Sequence, residues 1–304
     1  MRRIIVLLGP TAVGKTKIAI KLALGLDGEV VSADSMQLYK KMSIGSAKPT
    51  KEEIEQVPHH LVDQIDPSKH FTVAQYQRLA KESIGDILSR GKVPIIAGGT
   101  GLYINSLIYD MNFGENPRDL AFREGMEALA EAEGKEAVHR LLAEKDPLAA
   151  ERIHPNNLKK VIRGLERVSE EGNVKSFEES FQPTRDYQVT LIGLKRHRDE
   201  LYTRINDRVD HFIEQGLIEE VKGLIGDGLN VDNISMLGIG YKEIYDYIQG
   251  ITSLERAITL VKQNSRHLAK RQMTWFTRYQ GVKWFDLSSL QKPEEEILKW
   301  LKNN

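Results

Sequence analysis

Gly9-Pro10-Thr11-Ala12-Val13-Gly14-Lys15-Thr16 is the stretch on which the reading of this chain turns. The apolar run Ile4-Ile5-Val6-Leu7-Leu8 precedes it, and Ile18, Ile20, Leu22 and Leu24 follow it in an apolar-periodic stretch. Strand, glycine-rich turn and helix in that order form the setting of a phosphate-binding P-loop. The glycines let the backbone curl so that successive N–H groups face an anion, above the positive end of the helix behind them. Lys15 adds a mobile charge for terminal phosphate oxygens, and the Thr16 hydroxyl is placed to ligate Mg²⁺. Gly9, Pro10, Thr11, Ala12, Val13, Gly14, Lys15 and Thr16 are therefore the expected diphosphate- or nucleotide-binding residues, with Thr16 the expected metal ligand.

Working outward, the 304 residues suffice for one large domain or two modest ones. Hydrophobic residues make up 40% and charged residues 28%, an ordinary globular balance. No apolar run approaches the roughly 20 residues of a membrane span, and Arg2-Arg3 lead straight into the first strand without a cleavable signal, so a cytoplasmic enzyme is expected. The absence of cysteine removes disulfides, thiolate zinc sites and cysteine nucleophiles together. A formal net charge of zero argues against a protein that coats nucleic acid nonspecifically, although a local basic face would still serve RNA.

The first 110 residues or so alternate strands and helices, the pattern of a parallel sheet. Strands are expected at Ile4–Leu8, Glu29–Ser32 and Val93–Ala97, and helices from Thr16 to about Leu26 and from Val73 to Ser89. From Gly114 to about Tyr187 the chain turns charged and helical, with helices expected at Arg118–Glu133, Lys135–Glu144, Pro147–Ile153 and Asn157–Glu171. The fold class is α/β, a P-loop NTPase-like parallel sheet core flanked by helices, interrupted by an all-helical insertion. The core is residues 1–113 with 188–304, and the insertion 114–187. A strand at Val189–Leu194 returns to the sheet, helices follow at Arg198–Glu214, Ile218–Gly226, Tyr241–Gln249 and Leu254 to about Tyr279, and Val282–Phe285 reads as a last strand.

Asp34 lies just past the second strand and Thr100, in Gly98-Gly99-Thr100-Gly101, just past the third. The carboxyl ends of parallel strands line the ligand crevice of an open α/β sheet, so both converge on the P-loop. On position alone Asp34 is a magnesium-water ligand, a general base or a turn-capping carboxylate, and Thr100 a substrate contact or a cap. His59-His60 reads as structural, because adjacent histidines point different ways and no further ligands cluster nearby. Lys159, Arg163 and Arg167 share one helix face, with Lys160 beside them. Arg266/Lys270 and His267/Arg271 repeat that spacing ahead of Trp275, Phe276 and Tyr279, a mixture suited to tracking a phosphate backbone and stacking on bases, or alternatively a solvated face beside core aromatics. No strand ends in an apolar run followed by Asp-Glu, which argues against a motor ATPase.

Taken together these residues resemble the bacterial tRNA dimethylallyltransferases over essentially the whole chain. The resemblance rests on Gly9–Thr16, Asp34-Ser35-Met36-Gln37, Gly45-Ser46-Ala47-Lys48, Pro58-His59-His60-Leu61, Gly98–Tyr103, Ile153-His154-Pro155-Asn156, Gly238-Ile239-Gly240-Tyr241 and Ala269–Trp275. The family commonly has threonine where Ser46 stands, and the hydroxyl is kept. The zinc finger of eukaryotic members has no counterpart in a chain without cysteine. The resemblance implies transfer of a dimethylallyl group from its diphosphate to the exocyclic amine of adenosine 37 in tRNA, with Mg²⁺ as cofactor. It implies catalytic roles for Asp34 as base, Thr100 in orienting the amine, and Lys15 and Arg198 on the diphosphate. It further implies tRNA contacts from Asp34, Ser35, Met36, Gln37, Thr100, Arg123, Lys159, Lys160, Arg163, Lys242, Arg266, Lys270 and Arg271. The partners expected are thus the tRNA anticodon stem-loop and dimethylallyl diphosphate, bound by a monomer. A P-loop kinase using ATP on a nucleotide or small metabolite, and a noncatalytic RNA-binding protein, are the competing readings.

Overall fold

The computed structural model describes residues 3–111, 113, 120–171 and 181–304. They divide into two compact units, Met1–Ile108 with Thr184–Asn304, and Tyr109–Pro183. The division falls a few residues before the boundaries expected from composition. The expected insertion start at Gly114 and helix start at Arg118 lie outside the described residues.

In the larger unit, β1 (Arg3–Leu8) leads through the glycine-rich turn into α1 (Lys15–Leu26). Next come β2 (Gly28–Ala33), α2 (Lys51–Gln56), β3 (His59–His60), α3 (Val73–Ser89), β4 (Val93–Gly98) and α4 (Gly101–Ile108). Six strands form one sheet in the order β3-β2-β4-β1-β5-β6, where β5 is Gln188–Lys195 and β6 is Lys283–Asp286. Every pairing is parallel. The chain runs from β1 to one side, returns through β4, and continues to the other side through β5. The P-loop therefore leaves the sheet at the strand where the order reverses, where open α/β sheets take ligands.

Parallel strands buried on both faces read as continuous apolar runs, and β1 does: Ile4 to Leu8 are each at most 2% exposed. Ile18, Ala19, Leu22 and Ala23 of α1 pack into the same core as Ile5, Leu7, Ile95 and Ile192. Burial of each such aliphatic side chain contributes about 1.5–3 kcal/mol. Tyr76 of α3 stacks on Tyr103 of α4 at 3.8 Å between centroids and donates its hydroxyl to the Ser32 carbonyl at 3.0 Å. Glu29, buried at the start of β2, is held by Arg90, His60 and Lys92, and these partners, Arg90 foremost, pull its carboxyl down to about 2.

Three elements were not expected from the sequence before Gly101–Ile108 is passed: the two-residue β3, α2 and α4. β3 is too short to carry any periodicity. α2 is signalled only by its capping box, Thr50 to Glu53 and back. α4 opens on a glycine directly after a glycine-rich turn, so its apolar run reads as more turn.

The smaller unit packs α5 (Leu120–Glu133), α6 (Lys135–Lys145), α7 (Pro147–Arg152) and α8 (Leu158–Glu171) around Val138, Leu142, Ala149, Val161, Ile162 and Leu165. Its two chain ends are stitched by an isolated antiparallel bridge, Tyr109 to Pro183, so among its described residues the unit is helical apart from that bridge and the short connections. The Asp110 N–H donates to the Gln182 carbonyl there at 2.8 Å.

After β5 the larger unit continues with α9 (Arg198–Glu214), α10 (Leu217–Gly226), a 3₁₀ turn (Ile234–Leu237), α11 (Tyr241–Ile248), α12 (Leu254–Phe276), β6 and α13 (Pro293–Lys302). α13 also lay outside the expectation, although Pro293 at its first position, Glu294 to Glu296 in its first turn and Lys299 and Lys302 in its last are ordinary helix-end signals.

Candidate active site

Between β1 and α1 the loop curls with Ala12 at φ 60° and Gly14 at φ 110°. Gly14 occupies the left-handed region that glycine reaches without steric cost. Ala12 sits there at a cost of about 1–2 kcal/mol, so the surrounding bonds must hold it. Those bonds come from arginines. Arg204 Nε donates to the Ala12 carbonyl at 2.9 Å, Arg196 Nε to the Val13 carbonyl at 3.0 Å, and Arg208 Nη1 to the Thr11 hydroxyl at 3.4 Å. Lys15 folds back so that its ammonium donates to the carbonyls of Gly9 at 2.9 Å and Pro10 at 2.8 Å. Burial pushes that ammonium down to about 8, against the pull of Asp34 and with the repulsion of Arg208. Asp34 also acts on Arg208, so carboxylate, ammonium and guanidinium share one field.

Asp34 caps its own turn, its Oδ1 accepting the Met36 N–H at 2.9 Å. The Thr100 hydroxyl accepts the Ser35 N–H at 3.0 Å, and the Thr100 N–H donates to the Ala33 carbonyl at 3.1 Å. This closeness requires Gly98, where a Cβ would stand 2.1 Å from the Ala33 oxygen. Gln37 accepts from Ser32 Oγ at 2.9 Å and donates to the Ala47 carbonyl at 3.1 Å. Asp34, Ser35 and Gln37 are therefore held by the loops around them.

The third bridge was not assigned from sequence. Gln272 of α12 accepts the Thr11 N–H through Oε1 at 2.8 Å and donates through Nε2 to the Gly99 carbonyl at 3.0 Å. One side chain thus spans both glycine-rich turns. Three residues on, Trp275 lies where a Cβ on Gly101 would meet it at 2.5 Å, and its Nε1 donates to the Tyr279 hydroxyl at 3.0 Å. We expect Gln272→Ala to lower kcat/KM about tenfold by loosening both turns. Gln272→Glu should raise the KM for an anionic donor beyond that of Gln272→Ala, since it sets a carboxylate beside the loop amides. Steady-state kinetics on the two variants checks both.

The structure places the remaining expected residues less uniformly. Arg198 is exposed and lies over the Tyr202 ring at 5.1 Å, whereas Arg196, Arg204 and Arg208 make the bonds to the P-loop. Arg266 donates to Asn206 Oδ1 at 2.7 Å, while Lys270 and Arg271 are exposed on the same helix. Phe276 is fully buried and Tyr279 is 5% exposed, so these aromatics serve the core rather than a base-stacking surface. Lys242 is exposed, 3.7 Å from Asp246. In the helical unit, Lys159 and Lys160 are exposed, whereas Arg123 and Arg163 both pair with the buried Glu166, at 2.5 and 3.0 Å. Among the residues missed, Arg204 and Arg208 carry a legible signal, an i, i+4 spacing on one face of α9. What the spacing lacks is the direction of that face.

A cavity of about 40 Å³ lies under the loop, lined among others by Lys15, Thr16, Ser32, Asp34, Gln37 and His59. Its oxygens suit a hard cation. Among the described residues no group of three or more His, Cys, Asp or Glu stands together as a metal site. A cation here would therefore take Thr16, waters and phosphate oxygens, the manner in which Mg²⁺ binds.

Residues 37–279 match the IPP transferase family. A tRNA dimethylallyltransferase of Alkaliphilus oremlandii is 49% identical over 307 residues, spanning 100% of this chain and 98% of the relative. That of Bacillus cytotoxicus is 50% identical over 302 residues, spanning 98% and 94%. The crystal structure of a tRNA isopentenylpyrophosphate transferase from Bacillus halodurans superposes with a TM-score of 0.76 at 45% identity, covering 100% of this chain and 96% of the other. A eukaryotic dimethylallyltransferase acting on tRNA gives a TM-score of 0.83 at 28% identity, covering 99% and 78%. With the family match spanning most of the chain and full-length relatives near half identity, this chain belongs to the IPP transferase family.

Proposed function

We propose that this protein transfers a dimethylallyl group from dimethylallyl diphosphate to the N6 amine of adenosine 37 in tRNA, releasing diphosphate. The observation that carries the reading is a phosphate-gripping loop whose ammonium shares its field with a single carboxylate, Asp34, in a chain that full-length relatives match as dimethylallyltransferases. The same relatives favour prenyl over phosphoryl transfer.

The allylic C1–O bond breaks readily because the developing cation is delocalised, so the main demand is to stabilise charge on the departing diphosphate. The loop amides, Lys15 and Arg208 answer it: Lys15 exchanges its two carbonyl partners for phosphate oxygens, and Arg208 turns from the Thr11 hydroxyl. Mg²⁺ held at Thr16 would supply further charge neutralisation there. The adenine amine is a poor nucleophile because its lone pair is conjugated. As N6 bonds to C1, Asp34 takes one amine proton on the oxygen that Met36 does not occupy, and diphosphate carries off the C1–O electron pair. Thr100, fixed against Ser35, orients the amine. The base must leave its stack to reach these groups. Arg123, Lys159, Lys160 and Arg163, with Lys242, Arg266, Lys270 and Arg271, are the proposed phosphate contacts on the stem-loop. Among the described residues no helix is long and apolar enough to cross a membrane. A tRNA substrate supports a cytoplasmic enzyme, and the working unit proposed is a monomer.

Mass spectrometry of an unmodified anticodon stem-loop, incubated with protein, Mg²⁺ and dimethylallyl diphosphate, tests the reading. Addition of one dimethylallyl group to the adenosine 3′ of the anticodon is expected. An unchanged RNA beside a metabolite phosphorylated from ATP would replace the reading with a kinase.

A further inference from the structure

His59 is a titratable residue of the site cavity that the mechanism above leaves unused. It stands on the edge strand β3 and lines the same cavity as Lys15, Thr16 and Asp34. Its Nδ1 lies 2.8 Å from the Val57 carbonyl. A carbonyl only accepts, so Nδ1 carries the hydrogen of that bond. In the neutral ring the other nitrogen, Nε2, then bears a lone pair. That nitrogen is enclosed and has no hydrogen-bond partner among the described residues. Burial lowers the affinity of the ring for a second proton, in keeping with the neutral form.

An enclosed acceptor without a donor costs about 1–3 kcal/mol, and the great majority of such groups are satisfied in native proteins. Several other groups of the cavity are turned to partners of their own: Ser32 Oγ donates to Gln37, Lys15 donates to two carbonyls, and the neighbouring His60 turns to Glu29 at 2.8 Å. Water is a fitting donor, and about 40 Å³ has room for it. Thr16, the expected magnesium ligand of the P-loop, lines the same cavity.

We propose that His59 Nε2 accepts a hydrogen bond from a water bound to the magnesium ion of the diphosphate complex, making His59 a positioning residue for the hydrated cation. The assignment rests on the P-loop and Thr16 reading of the proposed function. Magnesium keeps several waters when it binds proteins, and a neutral imidazole nitrogen suits a metal-bound water better than the hard cation itself. Loss of such an outer partner typically weakens metal binding by about 10–100-fold. An imidazole locked into one tautomer by a backbone carbonyl orients that water at no further cost in ring rotation.

The probe is inorganic diphosphate, titrated by calorimetry into full-length wild type, His59→Phe and His59→Gln, in EDTA and across a range of Mg²⁺. Expected is an increase of about tenfold in the Mg²⁺ concentration for half-maximal diphosphate binding with His59→Phe, largely restored by His59→Gln, whose amide oxygen can accept. In EDTA all three proteins should bind diphosphate alike. A wild-type Mg²⁺ requirement in His59→Phe overturns the proposal, and so does equal weakening with and without Mg²⁺, which would mark a role in holding β3. Wild-type binding indifferent to Mg²⁺ would instead remove the metal reading of Thr16. Should His59→Phe fail to fold, ¹⁵N spectra of the wild-type histidines decide: the Nε2 resonance of His59 should move upfield when Mg²⁺ and diphosphate are added together but not with diphosphate alone. An Nε2 resonance that stays in place overturns the proposal.

Discussion

Asp34→Asn should slow prenyl transfer to an anticodon stem-loop by about 10²–10⁴-fold, the usual contribution of a positioned proton acceptor. The substitution is chosen for what it preserves. Asparagine keeps an oxygen to accept the Met36 N–H, so the turn that presents Ser35 and Gln37 stays closed. It loses only the charge and the ability to receive the amine proton. That loss has a second, opposite consequence. Asp34 holds the Lys15 ammonium and the Arg208 guanidinium in an attractive field. Without it both cations turn more fully to the phosphates, so diphosphate should bind as tightly as to wild type or slightly tighter. Single-turnover rates and calorimetry with diphosphate separate the two effects. A single-turnover rate within tenfold of wild type would end the role of Asp34 as base.

Arg208→Ala is expected to weaken diphosphate binding by about 10–100-fold, in line with loss of a charge-assisted hydrogen bond worth about 1.5–3 kcal/mol. Arg198→Ala should change it less than about threefold, since an exposed arginine resting on the Tyr202 ring is screened by solvent. Arg208→Lys should recover only part of the loss, because a guanidinium offers a fixed fork where an ammonium offers a point charge. Calorimetry with the three variants reads all of this directly. The reverse ranking would mean that the segment around Arg198 swings to the loop when ligand binds, restoring the role the family resemblance implies for it.

The difference between these two arginines shows what the sequence carries and what it withholds. The P-loop, the strands at Val93 and Val189 and the long helix from Leu254 are legible because apolar runs and glycine turns are local signals. The convergence of Asp34 and Thr100 on the loop is legible too, since parallel topology sends all strand ends to one edge. Arg208 and Gln272 are different. Each acts through the direction in which a helix face turns, and that direction is set by packing from residues far along the chain, such as Leu201, Ile205 and Ala269 against the sheet core. Trp275, Phe276 and Tyr279 illustrate the same gap, because an aromatic beside a basic residue looks identical whether it faces RNA or the interior. His59 is legible as a noncatalytic histidine, but its unmatched nitrogen exists only once β3 is laid beside β2.

The Gln272 bridge also sets a clock on synthesis. Thr11 and Gln272 are separated by 261 positions, so the loop leaves the ribosome early and its clamp late. At about 5–20 residues per second the gap lasts roughly 13–50 seconds. Throughout it the nascent loop lacks the arginines of α9 for much of the interval and the glutamine of α12 until nearly the end, so nothing holds Ala12 in its left-handed conformation. A product terminated before α12 therefore lacks the one side chain that ties the two glycine-rich turns together.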